Sequence, residues 1–512
     1  MRAWRIASRS RLHGRLVNSP AFSGSSVYET GRDVADILHN GKDGETVSAT
    51  GWVRSVRKQK RVAFAAISDG STVDSLQAVM SPEDAAKLSH GTAVEFAGEW
   101  KASVGSKQSH ELQVSATEVL GENDAESNPL QPKYQTPEFL RSIPHLRPRI
   151  ASNAIILRLR SQLIASLTDF FNKQDFVQCH TPIITSSDCE GAGEVFTISS
   201  NDPKNTTEQD GATAETPVEH FFKTPKYLTV SAQLHLEALA QAVSKVWTLS
   251  PTFRAEQSDT ARHLSEFYML EAEMCFTSDL NDIMDLVENM MRTAVLTLQK
   301  RPVRAELLTA KGTAPKEERE DGKSITADML QQRWDGIASL DWPRITYAEA
   351  IDLLKDAQTS GSATFAFDPS YRSGLQAEHE RYVASNVGKG KPVFVTDYPR
   401  LQKPFYMPPS MSTKNSKGSP DTVACFDLLV PDLCELAGGS IREHRSEELL
   451  GAMREKGIAG KDLEWYQDLR KYGSVPHGGF GLGFDRLICY LAGITNVRDV
   501  VAFPRWYGRA DC

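Results

Sequence analysis

The 512-residue chain has no uncharged apolar run long enough to cross a bilayer, which excludes a helical membrane protein. Its seven cysteines (Cys179, Cys189, Cys275, Cys425, Cys434, Cys489, Cys512) are an odd number and form no C-x-x-C pair. Neither a disulfide framework nor a cysteine-rich zinc site is indicated, and a reducing compartment fits. The G-x-x-x-x-G-K-[ST] loop is missing, and the glycine cluster of "HGGFGLGFDRL" lacks the G-x-G-x-x-G spacing that opens a dinucleotide-binding βαβ unit, so nucleotide binding by those two routes is excluded. An excess of positive charge is also missing: 58 Lys and Arg stand against 66 Asp and Glu, a formal charge of −8. A polyanionic partner would have to be met by a local basic patch. Acidic residues are absent before Glu29, whereas Arg2, Arg5, Arg9, Arg11 and Arg15 and several serines are present. With no apolar secretory core, residues 1–27 have the composition of a mitochondrial transit peptide.

Residues 43–122 read as five short strands separated by turns, the pattern of a small barrel. Its first hairpin is basic (Arg54, Arg57, Lys58, Lys60, Arg61) and runs into Phe64; on these residues alone a solvated hairpin with Phe64 in the barrel core is expected. A proline-punctuated linker spans 123–145. The remaining region, 146–512, opens on Ile156, Leu159, Leu163, Leu167 and Phe170 at spacings of three and four, an amphipathic helix that leads into a strand, "FVQCHTPIIT". The rest mixes strands and helices as α+β, with expected surface insertions near 201–219 and 308–336. In "LSPTFRAEQSDTARHLSEFYMLEAEM" two antiparallel strands joined by a long loop carry Arg254, Glu256, Arg262, His263, Glu266, Glu271 and Glu273. So dense a set of charges reads equally as a surface salt-bridge ladder or as a ligand site.

The order of "TPIITSSDCEGAGEVF", "YLTVSAQLHLEAL", "FRAE…RHLSEFYMLEAEM", "FDLLVPDLCELAGGSIREHR" and "GGFGLGFDRL" resembles the catalytic domain of class II aminoacyl-tRNA synthetases, specifically their asparaginyl branch. The resemblance covers nearly everything after residue 27. It implies an α+β fold: an N-terminal five-stranded OB-fold that reads the anticodon, then an antiparallel sheet flanked by helices. It implies asparagine–tRNA ligase activity in the mitochondrial matrix, with ATP and L-asparagine as substrates, Mg2+ as cofactor, tRNA(Asn) as partner, a homodimer and no membrane. An aspartyl or dual-specificity synthetase, or a non-catalytic RNA-binding paralogue, stands as the alternative.

Adenylate formation needs phosphate charge held and reactants aligned more than it needs a nucleophile, a task suited to arginine forks. By resemblance Arg254 and Arg486 are the catalytic residues, on the α- and γ-phosphates. Glu256 accepts from the adenine amino group, Phe267 stacks on adenine, and Arg262 with His263 reaches the outer phosphates. The glycines ending at Gly483 leave room for the nucleotide. Asp427 and Glu435 match the family's magnesium carboxylates, oxygen donors of the hardness that ion prefers. Glu190 and Gln233 would hold the α-ammonium, while Glu271 accepts from the amide nitrogen of asparagine and Arg442 donates to its oxygen; an aspartate would be repelled by Glu271. Ile441 stands where the family usually has glutamine. In the barrel the resemblance gives Phe64 and Gln77 the stacking on, and reading of, an anticodon base.

Overall fold

The computed structural model describes residues 32–105, 108–186, 194–199, 220–313, 324–411, 421–458 and 463–512. The chain divides into two units after Asn128. In the first, β1 (Glu45–Lys58), β2 (Ala63–Ser68), β3 (Leu76–Met80), β4 (Ala93–Ala102) and β5 (His110–Gly121) close into a barrel in the order β1-β2-β3-β5-β4. Alternate residues fill it: Val47, Ala49 and Val53 from β1, Ala63, Ala65 and Ile67 from β2, Val94, Phe96 and Trp100 from β4. Irregularities at Val53/Ser55 and Ala97/Gly98 supply the curvature that closure needs. The same period of two overturns the expectation that Phe64 lies in the core. It falls between buried Ala63 and Ala65, points outward and is half-buried, with the Arg57 guanidinium 5.4 Å from its ring centre.

The second unit is built on an eight-stranded sheet. Its strands are β6 (Val177–Gln178), β9 (Lys245–Phe253), β10 (Glu266–Cys275), β11 (Arg344–Thr346), β12 (Val393–Thr396), β13 (Cys425–Val430), β14 (Cys434–Ile441) and β15 (His477–Gly483); β7 (Ile184–Thr185) and β8 (Tyr227–Leu228) form a separate ribbon. The order is β11-β12-β13-β14-β15-β10-β9-β6. From β12 to β9 every pairing is antiparallel, as expected, but both edges are parallel. Helices Tyr347–Thr359 and Ala377–Gly388 lie between β11 and β12, and Gln233–Val243 between β6 and β9, so these edges are crossover connections rather than hairpins.

The expected amphipathic helix is Ala151–Lys173, with Ile156, Leu159, Leu163, Leu167 and Phe170 buried, and it packs against helix Leu280–Leu298. The single strand expected over "FVQCHTPIIT" is instead broken into β6 and β7, with Pro182, which has no N–H to give a ladder, between them. Within the expected insertion 308–336, helix Pro302–Gly312 runs in from one side and helix Ala327–Ala338 occupies the other, burying Leu330, Trp334 and Ile337; the Trp334 indole donates to the Leu491 carbonyl at 2.9 Å. That half of the segment is core.

Candidate active site

Strand β10 organises the site. Phe267, Met269, Glu271 and Glu273 alternate onto one face, while Tyr268, Leu270 and Ala272 take the other. Tyr268 lies against Arg160 of the long helix, and its N–H donates to Asp485 at 2.7 Å; Asp485 is also ion-paired to Arg160, so it serves the packing rather than a ligand. At 3.3 Å per residue the stretch from Phe267 to Glu273 is roughly 20 Å long. Across it, β15 places Gly481 opposite Glu271 and Gly479 opposite Glu273. A Cβ on Gly479 would come within 2.1 Å of the Glu273 Oε2 and of the Ala272 carbonyl. The room left by this glycine is therefore filled by Glu273 itself, so close packing as well as space for a ligand demands a bare backbone in β15.

At the Phe267 end the cations gather. Arg254 leaves the end of β9 with its guanidinium 5.8 Å from the Phe267 ring and 3.7 Å from Glu256; the His263 Nε2 is 3.2 Å from Glu256, and Arg262 is 3.8 Å from Glu380. Burial, joined by Arg486, Arg262 and Arg254 and opposed by Glu256, holds the His263 imidazole below its ordinary pKa. The loop bearing these residues is braced by the C-terminal segment: the Val497 N–H donates to the Ala261 carbonyl at 2.9 Å, and Arg498 to Asp259 at 2.8 Å. Arg486 is half-buried, donates to the Glu435 carbonyl at 3.0 Å, and is in ion-pair range of no carboxylate among the described residues. Burial, Arg262 and Arg254 lower its pKa.

The acids lie beside this cluster. A Cβ placed on Gly438 would sit 3.4 Å from the Asp427 Oδ1 and 3.5 Å from the Glu435 Oε1, so β13 and β14 aim two carboxylates over one bare position. Burial and neighbouring Glu435 raise the Asp427 carboxyl against the pull of Lys403, whose ammonium donates to both Asp427 oxygens at 2.8 and 2.7 Å. Glu380 is raised by burial and by Glu435 and Asp427. Asp427 and Glu435 offer hard oxygen donors of the kind a divalent cation prefers, although Lys403 now holds both Asp427 oxygens and Glu380 is turned to Arg262. Neither Lys403 nor Glu380 was expected from sequence, because each reaches the site from a separate segment with no motif of its own.

At the Glu273 end the two residues expected on the asparagine amide, Glu271 and Arg442, each have protein partners. Arg442 turns its fork to Glu273, with Nε 3.1 Å from Oε1 and Nη2 2.9 Å from Oε2, and its Nη1 donates to the Ser440 hydroxyl at 2.6 Å. Burial opposes, but Glu273 more than restores, the charge of Arg442, which is held above its ordinary pKa. Glu271 accepts instead from the Ser231 hydroxyl at 2.5 Å and the Ala232 N–H at 2.9 Å, at the start of helix Gln233–Val243. Glu271 and Arg442 thus flank one place, each fixed by other partners. Gln233 is held by Glu237 at 3.0 Å. Ile441 packs against Gly478, and Arg442 takes its polar contacts from Glu273 and Ser440 rather than from position 441. Glu190 lies outside the described residues. Glu273 was legible in principle, two residues from Glu271 on the same strand face; its partner, 169 positions away, was not.

The family model for tRNA synthetases of class II (D, K and N) matches residues 138–507, and that for the OB-fold nucleic acid binding domain matches residues 47–120. The chain is 41% identical over 485 residues to the mitochondrial asparagine–tRNA ligase of Schizosaccharomyces pombe, covering 94% of this chain and 98% of the relative. The chain belongs to the asparaginyl-tRNA synthetases of class II. It is 40% identical to the human asparaginyl-tRNA synthetase, over 90% of each chain. The solved Pyrococcus horikoshii enzyme, complexed with asparaginyl-adenylate, superposes with a TM-score of 0.75 at 30% identity, covering 91% of this chain and 96% of that one. In this synthetase the barrel is the OB-fold. Phe64 and Gln77 share its outer face, Ala66 pairing with Gln77 and Phe64 with Val79, and Gln77 donates to buried Glu111 at 3.1 Å.

Proposed function

We propose that this asparagine–tRNA ligase activates L-asparagine on the β10 face and transfers it to the 3′ adenosine of tRNA(Asn) in the mitochondrial matrix. The observation that carries the site assignment is the order along one strand face: an aromatic ring with a cluster of cations beside acids, then Glu271 about 13 Å further on with Arg442 beyond it, matching the sequence of base, triphosphate and amino acid. Phe267 stacks on adenine and Glu256 accepts from its amino group. Arg254, Arg262, His263 and Arg486 take the phosphates; their mutual repulsion in the free protein is relieved when a polyanion arrives. Asp427 and Glu435, with Glu380 beside them, would hold Mg2+, which supplies further neutralisation of phosphate charge when bound.

Asparagine's side-chain amide is both donor and acceptor. Glu271 accepts from its nitrogen. The second N–H on each Nη of Arg442, beyond those given to Glu273 and Ser440, donates to its oxygen, and Gln233 and Glu190 hold the α-ammonium. An aspartate would bring a second carboxylate against Glu271. On the barrel, a base stacks on Phe64 with Arg57 and the basic hairpin holding phosphates.

A homodimer is supported by the exposed apolar side chains Leu157, Val177, Ile183, Ile184, Leu239 and Val243, which cluster on the first long helix, the strands after it and helix Gln233–Val243. The matrix is supported by the Arg-rich, acid-free first residues and by mitochondrial relatives in two fungi. The test is amino-acid-dependent exchange of labelled pyrophosphate into ATP, with asparagine and aspartate side by side. Exchange with asparagine alone is expected; exchange led by aspartate, or none from folded protein, refutes the reading.

A further inference from the structure

Behind Arg442 and Gln233 lies a second layer of ionic groups that adenylate formation does not call for. Its centre is Glu237, fully buried on helix Gln233–Val243. Its carboxylate accepts from the Tyr466 hydroxyl at 2.8 and 3.0 Å, from Arg470 Nη2 at 2.5 Å and from Gln233 Nε2 at 3.0 Å; His477 Nε2 lies 3.1 Å away and Arg442 Nε 4.0 Å. Arg470 in turn donates to the Glu443 carbonyl at 2.9 Å and to the Tyr466 oxygen at 2.8 Å, and the His477 Nδ1 faces the Val475 carbonyl at 2.7 Å. Glu237, Glu273 and His477 converge within 4.8 Å, close enough to suit a cation, but two arginines already supply the positive charge there.

The two arginine charges are each matched by a glutamate, and His477 faces acceptors with both ring nitrogens. Arg442 is matched by Glu273, both of whose oxygens accept from its fork, and Arg470 is matched by Glu237. A pocket for a neutral amide gains nothing from surplus positive charge beneath it, whereas a carboxylate ligand would be drawn to it through the low-dielectric interior. A second layer in which each arginine is cancelled by a glutamate therefore favours asparagine over aspartate, independently of any contact to the ligand. Glu237 also ties this layer to two of the four expected amino-acid ligands, since it grips Gln233 directly and lies beside Arg442.

We propose that Glu237 is a specificity-determining positioning residue. It cancels the charge of Arg470 so that the field at the amino-acid pocket does not recruit aspartate. This rests on the assignment of Arg442 and Gln233 to the amino acid.

The experiment compares kcat/KM for asparagine and aspartate in pyrophosphate exchange, with the full-length protein and matched melting temperatures. Glu237→Gln is expected to lower the asparagine-to-aspartate ratio by about tenfold or more. The double variant Glu237→Gln/Arg470→Gln removes both charges and is expected to recover most of it. Tyr466→Phe, which removes a hydrogen bond but no charge, is expected to leave the ratio within about twofold. A merely structural Glu237 would make the double variant worse than the single and would lower both substrates together; either result overturns the proposal. If Glu237→Gln does not fold, Arg470→Gln carries the test with the opposite sign, and an unchanged ratio there overturns it. Wild-type protein preferring aspartate would refute the functional assignment and the proposal with it. Wild-type preference for asparagine with an unmoved Glu237→Gln ratio refutes the proposal alone.

Discussion

Replacing Arg486 with alanine should separate function from stability more cleanly than any other change in the site. The side chain is half-buried and makes one hydrogen bond, to the Glu435 carbonyl; burial, with Arg262 and Arg254, outweighs the attraction of Glu435 and Glu380 and disfavours its charge. Its loss in the free protein thus removes one modest interaction together with an unfavourable charge, and the folded state should be unaffected or slightly stabilised. With ATP bound, a guanidinium fork on phosphate makes two charge-assisted hydrogen bonds of about 1.5–3 kcal/mol each. Losing both should cut the exchange rate by roughly 10²–10⁴-fold. The assay is asparagine-dependent pyrophosphate exchange beside thermal melting, with and without ATP. Exchange should collapse, the melting temperature of the free protein should hold or rise, and the stabilisation given by ATP should shrink. A fall in exchange below tenfold, or a melting temperature that drops in step with activity, would show that Arg486 is part of the scaffold.

Glu271→Gln keeps the shape of the side chain and an acceptor for Ser231 and Ala232 but removes the charge that repels aspartate, so selectivity for asparagine should fall at least tenfold; an unmoved ratio of kcat/KM values would remove Glu271 from recognition. His263 is held below its usual pKa in the free protein, and a bound polyphosphate would raise it, so binding takes up a proton. ATP affinity measured by calorimetry between about pH 5.5 and 8 should strengthen as pH falls through that window, and His263→Asn should flatten the slope. Phe64→Ala should leave pyrophosphate exchange intact while weakening tRNA binding by about 1–3 kcal/mol, read as a raised KM for tRNA in aminoacylation. Equal loss in both assays would point to a damaged barrel instead.

Local periodicity carried much of the architecture. The spacing of Ile156, Leu159 and Leu163 gave the long helix, and alternation gave β9, β10 and the barrel, because each rests on residues a few positions apart. Phe64 was misplaced because an aromatic next to arginines reads as core or as surface until the phase of its strand is known, and Ala63 and Ala65 decide it only once the barrel closes. The short strands around Pro182 looked continuous because their apolar content outweighed one missing donor. Among the site residues, those on shared motifs were legible. Lys403 on Asp427, Glu380 beside Glu435, and Arg470 on Glu237 were not, since each contact joins segments that only the sheet brings together. The i, i+4 placement of Tyr466 and Arg470 puts them on one helix face, yet nothing in that helix names the glutamate they meet.

Because one strand face of β10 orders the Phe267 ring, Glu271 and Glu273, the phase of that strand and the length of the loop before it are under different constraints. Deleting a single residue inside Met269–Glu273 would rotate everything beyond the cut to the opposite side, sending Glu273 toward the helices and an apolar neighbour into the pocket. The loop between Arg254 and Ser265 has no strand phase to lose, but it carries Glu256, Arg262 and His263 and is braced at Asp259 and Ala261. A scan of single-codon deletions across 255–275 should therefore show losses in the loop that track those residues, and losses at every position once β10 begins.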